Sequence, residues 1–204
     1  MPGCCDNEAE IEKLRQTQSG TLKAVLAINA IMFLVVLIGG IYASSAALVS
    51  DSLDNLGDAL TYGLSLYAVY QGSNAKARVA LFKAALILLA ALLVFAQVIY
   101  RLAVPTVPVF ELMGIISLFA LAANSACLIL LTRHKADDVN MSSVWECSRN
   151  DIAANISVFL AAGAVWFTQS PWPDLIIALG LIGLFLRSAY RVFTDATREL
   201  QTAT

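Results

Sequence analysis

The sequence predicts an all-α polytopic membrane protein of six transmembrane helices. Spans one, two, four and five form the core bundle, and spans three and six lie outside it. Three observations carry this. The 204 residues are 59% hydrophobic and 14% charged, whereas soluble domains run at about 45–50% and about 25%. The mean hydropathy of +0.74 therefore points to lipid rather than to a larger core. Six mainly apolar stretches reach the roughly 20 residues that a bilayer requires. Lysine and arginine then cluster on alternate connections, as the positive-inside rule demands of an even number of spans.

Span one covers residues 21–43, with LAINAIMFLVVLIGGIY at its heart, and the serines at 44–45 end it. Span two, 46–70, carries three aspartates, and GSNAKAR at 72–78 follows it. Span three, 79–101, is clean and alanine-rich, and its Lys83–Ala91 stretch offers small-residue surface for a homodimer. Pro105 and Pro108 sit in the break at 102–109, where a missing N–H costs least. Span four is 110–132, followed by RHKADDVNM at 133–141. Span five is 142–167, and the 168–173 break contains Pro171 and Pro173. Span six is 174–196. The domain organisation is thus a polar segment at 1–20 without an apolar h-region, a transporter domain at 21–198 and a tail at 199–204.

Lys13, Arg15, Lys23, Lys76, Arg78, Lys83, Arg133, Lys135, Arg187, Arg191 and Arg198 all fall on one side of this map, and Arg101 falls on the other. Both termini and the 133–141 loop are therefore expected in the cytoplasm, in a bacterial inner or plasma membrane. The net charge of −2 is uninformative about nucleic acid, no basic stripe suggests it, and no nucleic-acid partner is expected. The four cysteines have no disulfide-framework spacing. Cys4 and Cys5 read as a reactive pair on a terminal segment.

The polar residues inside the spans are the informative ones. Asn29, Asp51, Asp54, Asn55, Asp58, Asn124, Ser125, Cys147, Arg149, Asn150, Asp151 and Asn155 lie in spans one, two, four and five. Such residues face a bundle interior or a wet cavity, which is why these four spans form the core. Asp54 and Asp58 are an i, i+4 pair, as are Cys147 and Asp151, so each pair shares one helix face. Both pairs fall near the middle of their spans, where transporter sites are usually found. Three aspartates on one face are too costly in lipid to be ordinary core residues. A lone membrane cysteine more often serves as a small hydrophobe, and only the CxxxD spacing raises Cys147 above that reading. The predicted metal ligands are Asp54, Asp58, Cys147 and Asp151. Asp51, one turn outward, supports the ligands or lines the way in. Arg149 is read as paired with an acid at the cytoplasmic end. His134 is read as solvated and left out of the site.

SSAALVSDSLDNLGDALTYGLSLYA resembles the second span of the cation diffusion facilitators. Asp54 falls on that family's His/Asp position, Asp58 on its second Asp and Asp51 on the Asp of the preceding "AD" element. Cys147 and Asp151 fall on the fifth-span HxxxD, with Cys147 replacing the histidine. TQSPWPDLIIALGLIGLFLRSA is similar to the sixth span, with Trp172, Pro173 and Asp174 on its W-x-D start. Asn29 and Gly40 suit the first-span pattern. The resemblance covers residues 20–200, and the expectation is a short member that lacks the family's cytoplasmic C-terminal domain.

The resemblance implies export of a divalent metal from the cytoplasm in exchange for protons, by alternating access. Carboxylates plus a thiolate suit Zn²⁺, Cd²⁺, Co²⁺ or Fe²⁺, and the thiolate tilts the set toward softer ions. The partners expected are metal ions, protons and the bilayer. No enzymatic activity and no resident cofactor are expected. Two alternatives stand beside it. A membrane metal sensor or non-transporting subunit would bind metal without moving it. A CDP-alcohol phosphotransferase also uses a DxxxD helix, but needs an upstream DGxxAR that this chain lacks.

Overall fold

The computed structural model describes residues 4–68, 73–134 and 139–202, with side chains described through most of 19–66, 85–134 and 145–194. Six helices account for nearly all of it: α1 (Cys4–Tyr42), α2 (Ala46–Ala68), α3 (Ser73–Ala103), α4 (Phe110–Thr132), α5 (Val139–Thr168) and α6 (Trp172–Thr202). Each coincides with an expected span. α1 differs by running back to Cys4, through the polar segment expected to lie outside the membrane part. α3 starts at Ser73, because the expected break at 72–78 is largely made of good helix formers. Even the shortest helices, α2 and α4, have 23 residues. At 1.5 Å per residue that is about 34 Å, enough to cross a hydrocarbon core.

Within the described residues, Ser19–Tyr42, Phe110–Thr132 and Ser148–Thr168 are long and apolar enough to cross a membrane on composition alone. α2 has the length, but it carries Asp51, Asp54 and Asp58. Burial explains why that charge is tolerated. Asp51, Asp58, Asp151, Asn29, Asn55, Asn124 and Asn155 are buried, while Ile31, Leu34, Ile38, Leu93, Phe119, Leu160 and Ile176 are exposed. A polar interior beneath an apolar surface is the arrangement that lipid selects.

α1 packs on α2, α2 on α5, α5 on α4 and α4 on α1, closing a four-helix ring. α3 and α6 pair with each other and lean on α2, and α6 also touches α5. This is the expected core with two outer helices. The α4–α5 hairpin is pinned at both ends. The Trp145 indole Nε1 donates to Thr132 Oγ1 at 3.0 Å near the loop. At the other end the rings of Phe110 and Trp166 lie 6.5 Å apart. The Arg149 guanidinium sits over the Trp145 ring at 5.3 Å, and the Glu146 side chain lies outside the described residues. His134 departs from expectation: it is buried, in the turn that ends α4, with its N–H on the Leu131 carbonyl.

The α1–α2 corner lies at the bundle end away from the chain termini. Ser44 turns it at φ 55°, a left-handed conformation that ends α1 within a single residue. The Ser45 N–H then bonds the Gly40 carbonyl, and the Val109 N–H reaches across from the start of α4 to Ala43. Two glycines let the backbones meet here. A Cβ on Gly40 would stand 2.9 Å from the Val49 backbone nitrogen, whereas one on Gly39 would run into the Ile116 Cδ1 methyl. The methyl can rotate away and the backbone cannot. Gly40→Ala is therefore expected to cost about 1–3 kcal/mol by overpacking, and Gly39→Ala less. Thermal unfolding in detergent checks this, and equal losses at the two positions would contradict it.

Candidate metal centre

Two apolar clusters bracket the centre of the bundle. One, toward the α1–α2 corner, includes Met32, Val36, Leu53, Met113 and Val158. The other, toward the termini, joins Leu22, Val25, Tyr62, Cys127 and Leu131. Between them lies a polar layer built from α2 and α5.

α2 places Asp54 and Asp58 one turn apart on its inward face, and α5 brings Asp151 to them. The Asp151 carboxyl is within hydrogen-bonding reach of both Asp54 and Asp58. Asp58 and Asp151 are buried, and Asp54 is half-buried. Three carboxylates this close repel one another unless a cation or protons lie among them. Three of the four residues expected as ligands thus come together from two helices. Cys147 lies on α5 one turn before Asp151, but its side chain is outside the described residues. Among the described residues, no set of three His, Cys, Asp or Glu side chains closes into a metal-holding group.

Asp51 is 1% exposed, and neither carboxylate oxygen has a hydrogen-bond partner among the described residues. It lies within the electrostatic reach of Asp54. Burying such a group without a partner is expensive, so Asp51 is set for a cation, a proton or water.

Two asparagines repeat one device. Asn55 Nδ2 donates to its own helix at the Asp51 carbonyl, 3.2 Å away. Asn155 Nδ2 does the same at the Asp151 carbonyl, 2.9 Å away. One N–H of each amide is thereby occupied, and both Oδ1 atoms are buried without a partner among the described residues. Each side chain thus brings a buried acceptor to the interior. Carboxylates and turned amides together make a lining rich in acceptors, and such a lining suits a cation.

The structure also adds neighbours that sequence reading did not assign. The Tyr62 hydroxyl donates to Asp58 Oδ2 at 3.0 Å. Its i+4 spacing from Asp58 is a signal that could have found it. Asn29 donates to the Val25 carbonyl at 3.0 Å and toward Cys127 Sγ at 3.8 Å. Cys127 is buried in α4 within the electrostatic reach of Asp58. No sequence spacing links Cys127 to Asp58, because the two meet only through helix packing.

The chain is 26% identical to the metal cation efflux system protein CzcD of Cupriavidus metallidurans, over 81% of this chain and 56% of that one. The same figures hold for the cation efflux system protein CzcD of Alcaligenes sp.. The chain therefore spans about half the length of the curated relatives it matches. The model of the cation efflux transmembrane domain matches residues 22–201, which include all six spans and every carboxylate described above. A match of that extent settles the relationship: the chain belongs to the cation efflux, or cation diffusion facilitator, family of integral membrane proteins.

Proposed function

We propose that this chain exports divalent transition-metal cations from the cytoplasm in exchange for protons, with Zn²⁺, Cd²⁺, Co²⁺ and Fe²⁺ as the substrate class. The observation that carries the reading is the convergence of Asp54, Asp58 and Asp151 from two helices in a buried, acceptor-rich layer. Family membership supports the same class of cargo. In this reading Asp54, Asp58, Cys147 and Asp151 bind the ion, and Asp51 supports them or lines the path. Metal binding needs deprotonated ligands, so loading releases protons and protonation from the far side expels the ion. The same carboxylates serve both cargoes. A second copy packed through alanine-rich α3 completes the assembly. The sensor alternative shares the ligands but not the flux, and the phosphotransferase alternative has neither its motif nor the family in its favour.

Purified protein in sealed vesicles, with an imposed pH gradient and a panel of divalent ions, tests this. Gradient-driven uptake with opposing proton movement is expected. Binding without uptake would leave a sensor, and uptake indifferent to the gradient would remove the antiport.

Orientation is a separate expectation. With both termini cytoplasmic, a membrane-impermeant maleimide applied to intact cells should leave Cys4 and Cys5 unlabelled. It should label a Thr106→Cys variant in the exposed α3–α4 connection. The reverse pattern would invert the topology.

A further inference from the structure

The centre of the bundle is explained by its cargo, but one buried carboxylate lies far from it. Asp174 stands in the first turn of α6 and is 2% exposed. An acid there would ordinarily serve its own helix dipole. Instead its carboxylate caps a different helix. The Ser45 hydroxyl and the Ala47 N–H, at 3.1 Å, donate to Oδ1, and the Ala46 N–H donates to Oδ2 at 2.8 Å. Ser45 Oγ in turn accepts the Leu48 N–H at 3.0 Å. Three of the N–H groups that the start of an α-helix leaves without intrahelical partners are thus satisfied by one serine and one acid from another segment. The Arg101 charge, at the end of α3, lies within electrostatic reach of the same carboxylate. Asp174 therefore ties three helices together: α2 directly, α6 by the chain, and α3 by charge.

We infer that Asp174 is a positioning residue, which locks the start of α2 to the α3–α6 pair and so sets the height and rotation at which α2 presents Asp54 and Asp58 to Asp151 on α5. The physical route is short. Ala46 and Ala47 are rigidly bonded, and Asp54 and Asp58 follow on the same continuous helix. α5 has its own attachments to α4, so a slipped α2 would carry two carboxylates out of register with the third. The Ser45 and Asp174 bonds are charge-assisted and buried, which makes them stronger than ordinary surface caps. The inference rests on the metal-transport reading for its consequence, and on the hydrogen bonds alone for its geometry.

The test separates those two parts. Asp174→Ala, Asp174→Asn and Ser45→Ala are made in the full chain, reconstituted, and compared with the parent for Zn²⁺ uptake per correctly inserted protein. Hydrogen exchange at the amides of Ala46, Ala47 and Leu48 is followed without metal. Asp174→Ala is expected to raise the Zn²⁺ concentration for half-maximal uptake by about ten- to hundredfold, as for groups that orient metal ligands, with faster exchange at those three amides. Asp174→Asn keeps only one acceptor oxygen and falls between. Adding Ser45→Ala to Asp174→Ala should do little more than Asp174→Ala alone, since both break one network. A lower maximal rate with an unchanged half-saturating concentration would overturn the positioning role and leave a general stabiliser. Unchanged amide exchange in Asp174→Ala would overturn the cap itself. If the parent moves no metal yet the three amides lose protection in Asp174→Ala, the lock is supported and the transport reading fails. Should Asp174→Ala fail to insert, Ser45→Ala carries the same two readouts with a smaller expected shift.

Discussion

Replacing Asp54, Asp58 or Asp151 by alanine is expected to abolish metal transport while the protein still inserts. The loss should exceed about a hundredfold at each position, beyond the ten- to hundredfold that removal of a supporting group costs. Each substitution removes one of the carboxylates proposed to bind the ion, and the Asp151 carboxyl lies within reach of both of the others. Two carboxylates on one helix cannot enclose a cation from both sides, and Asp151 alone cannot enclose it at all. Asp58→Ala also strands the Tyr62 hydroxyl, which now donates to Asp58 Oδ2, and so leaves a buried donor unpaired. Asp51→Asn is expected to be milder, since Asp51 stands a turn away from the trio and its oxygens meet no partner among the described residues. Uptake measured at matched expression and matched insertion checks the series. Near-parental uptake in any two of the three alanine variants would place the ion elsewhere.

Metal preference is expected to follow the residue at Cys147. A thiolate there favours Zn²⁺ and Cd²⁺ over harder ions, because ligand type and geometry decide selectivity more than raw affinity does. Cys147→Ser should weaken Cd²⁺ uptake most, by about tenfold or more relative to Mn²⁺. Cys147→His should keep Zn²⁺ uptake and lose the relative preference for Cd²⁺, and Cys147→Asp should move the preference toward Mn²⁺. Cys127→Ser is the necessary comparison, because Cys127 is the other membrane thiol and lies within the electrostatic reach of Asp58. Competition uptake with paired ions reads the result. A preference that ignores all three Cys147 substitutions but changes in Cys127→Ser would move the soft ligand from α5 to α4.

Much of this architecture is legible from residue order alone, for a physical reason. The cost of exposing polar groups to lipid forces long apolar stretches, so the six spans and their breaks can be read directly. Helical periodicity does the rest within one helix. Asp54 and Asp58 had to share a face, as did Cys147 and Asp151, whatever the helices packed against. The expense of charge in a bilayer marks the aspartates as candidates for function, and the CxxxD spacing adds Cys147 to them. The polar content of spans one, two, four and five likewise identified the inner ring that the helix contacts display.

What local pattern cannot carry is the meeting of residues far apart in the chain. The segment before span one joined α1 because polar residues can extend a helix beyond the bilayer, and hydropathy has no means of marking where such a helix begins. His134 is buried in the turn that ends α4, where its N–H meets the Leu131 carbonyl. Asp151 reaches both α2 aspartates only because α5 packs beside α2, and Cys127 comes under the influence of Asp58 only because α4 closes the ring. Asp174 shows the limit most clearly. Sequence pattern placed it at the start of span six, where an acid suits its own helix, yet its carboxylate binds the first turn of α2, 128 residues earlier at Ala46. Residue order determined the spans and the same-helix pairs, because bilayer cost and helical periodicity act locally. Tertiary packing alone decided which helices face one another and which helix Asp174 caps, because those depend on contacts between segments that no local spacing encodes.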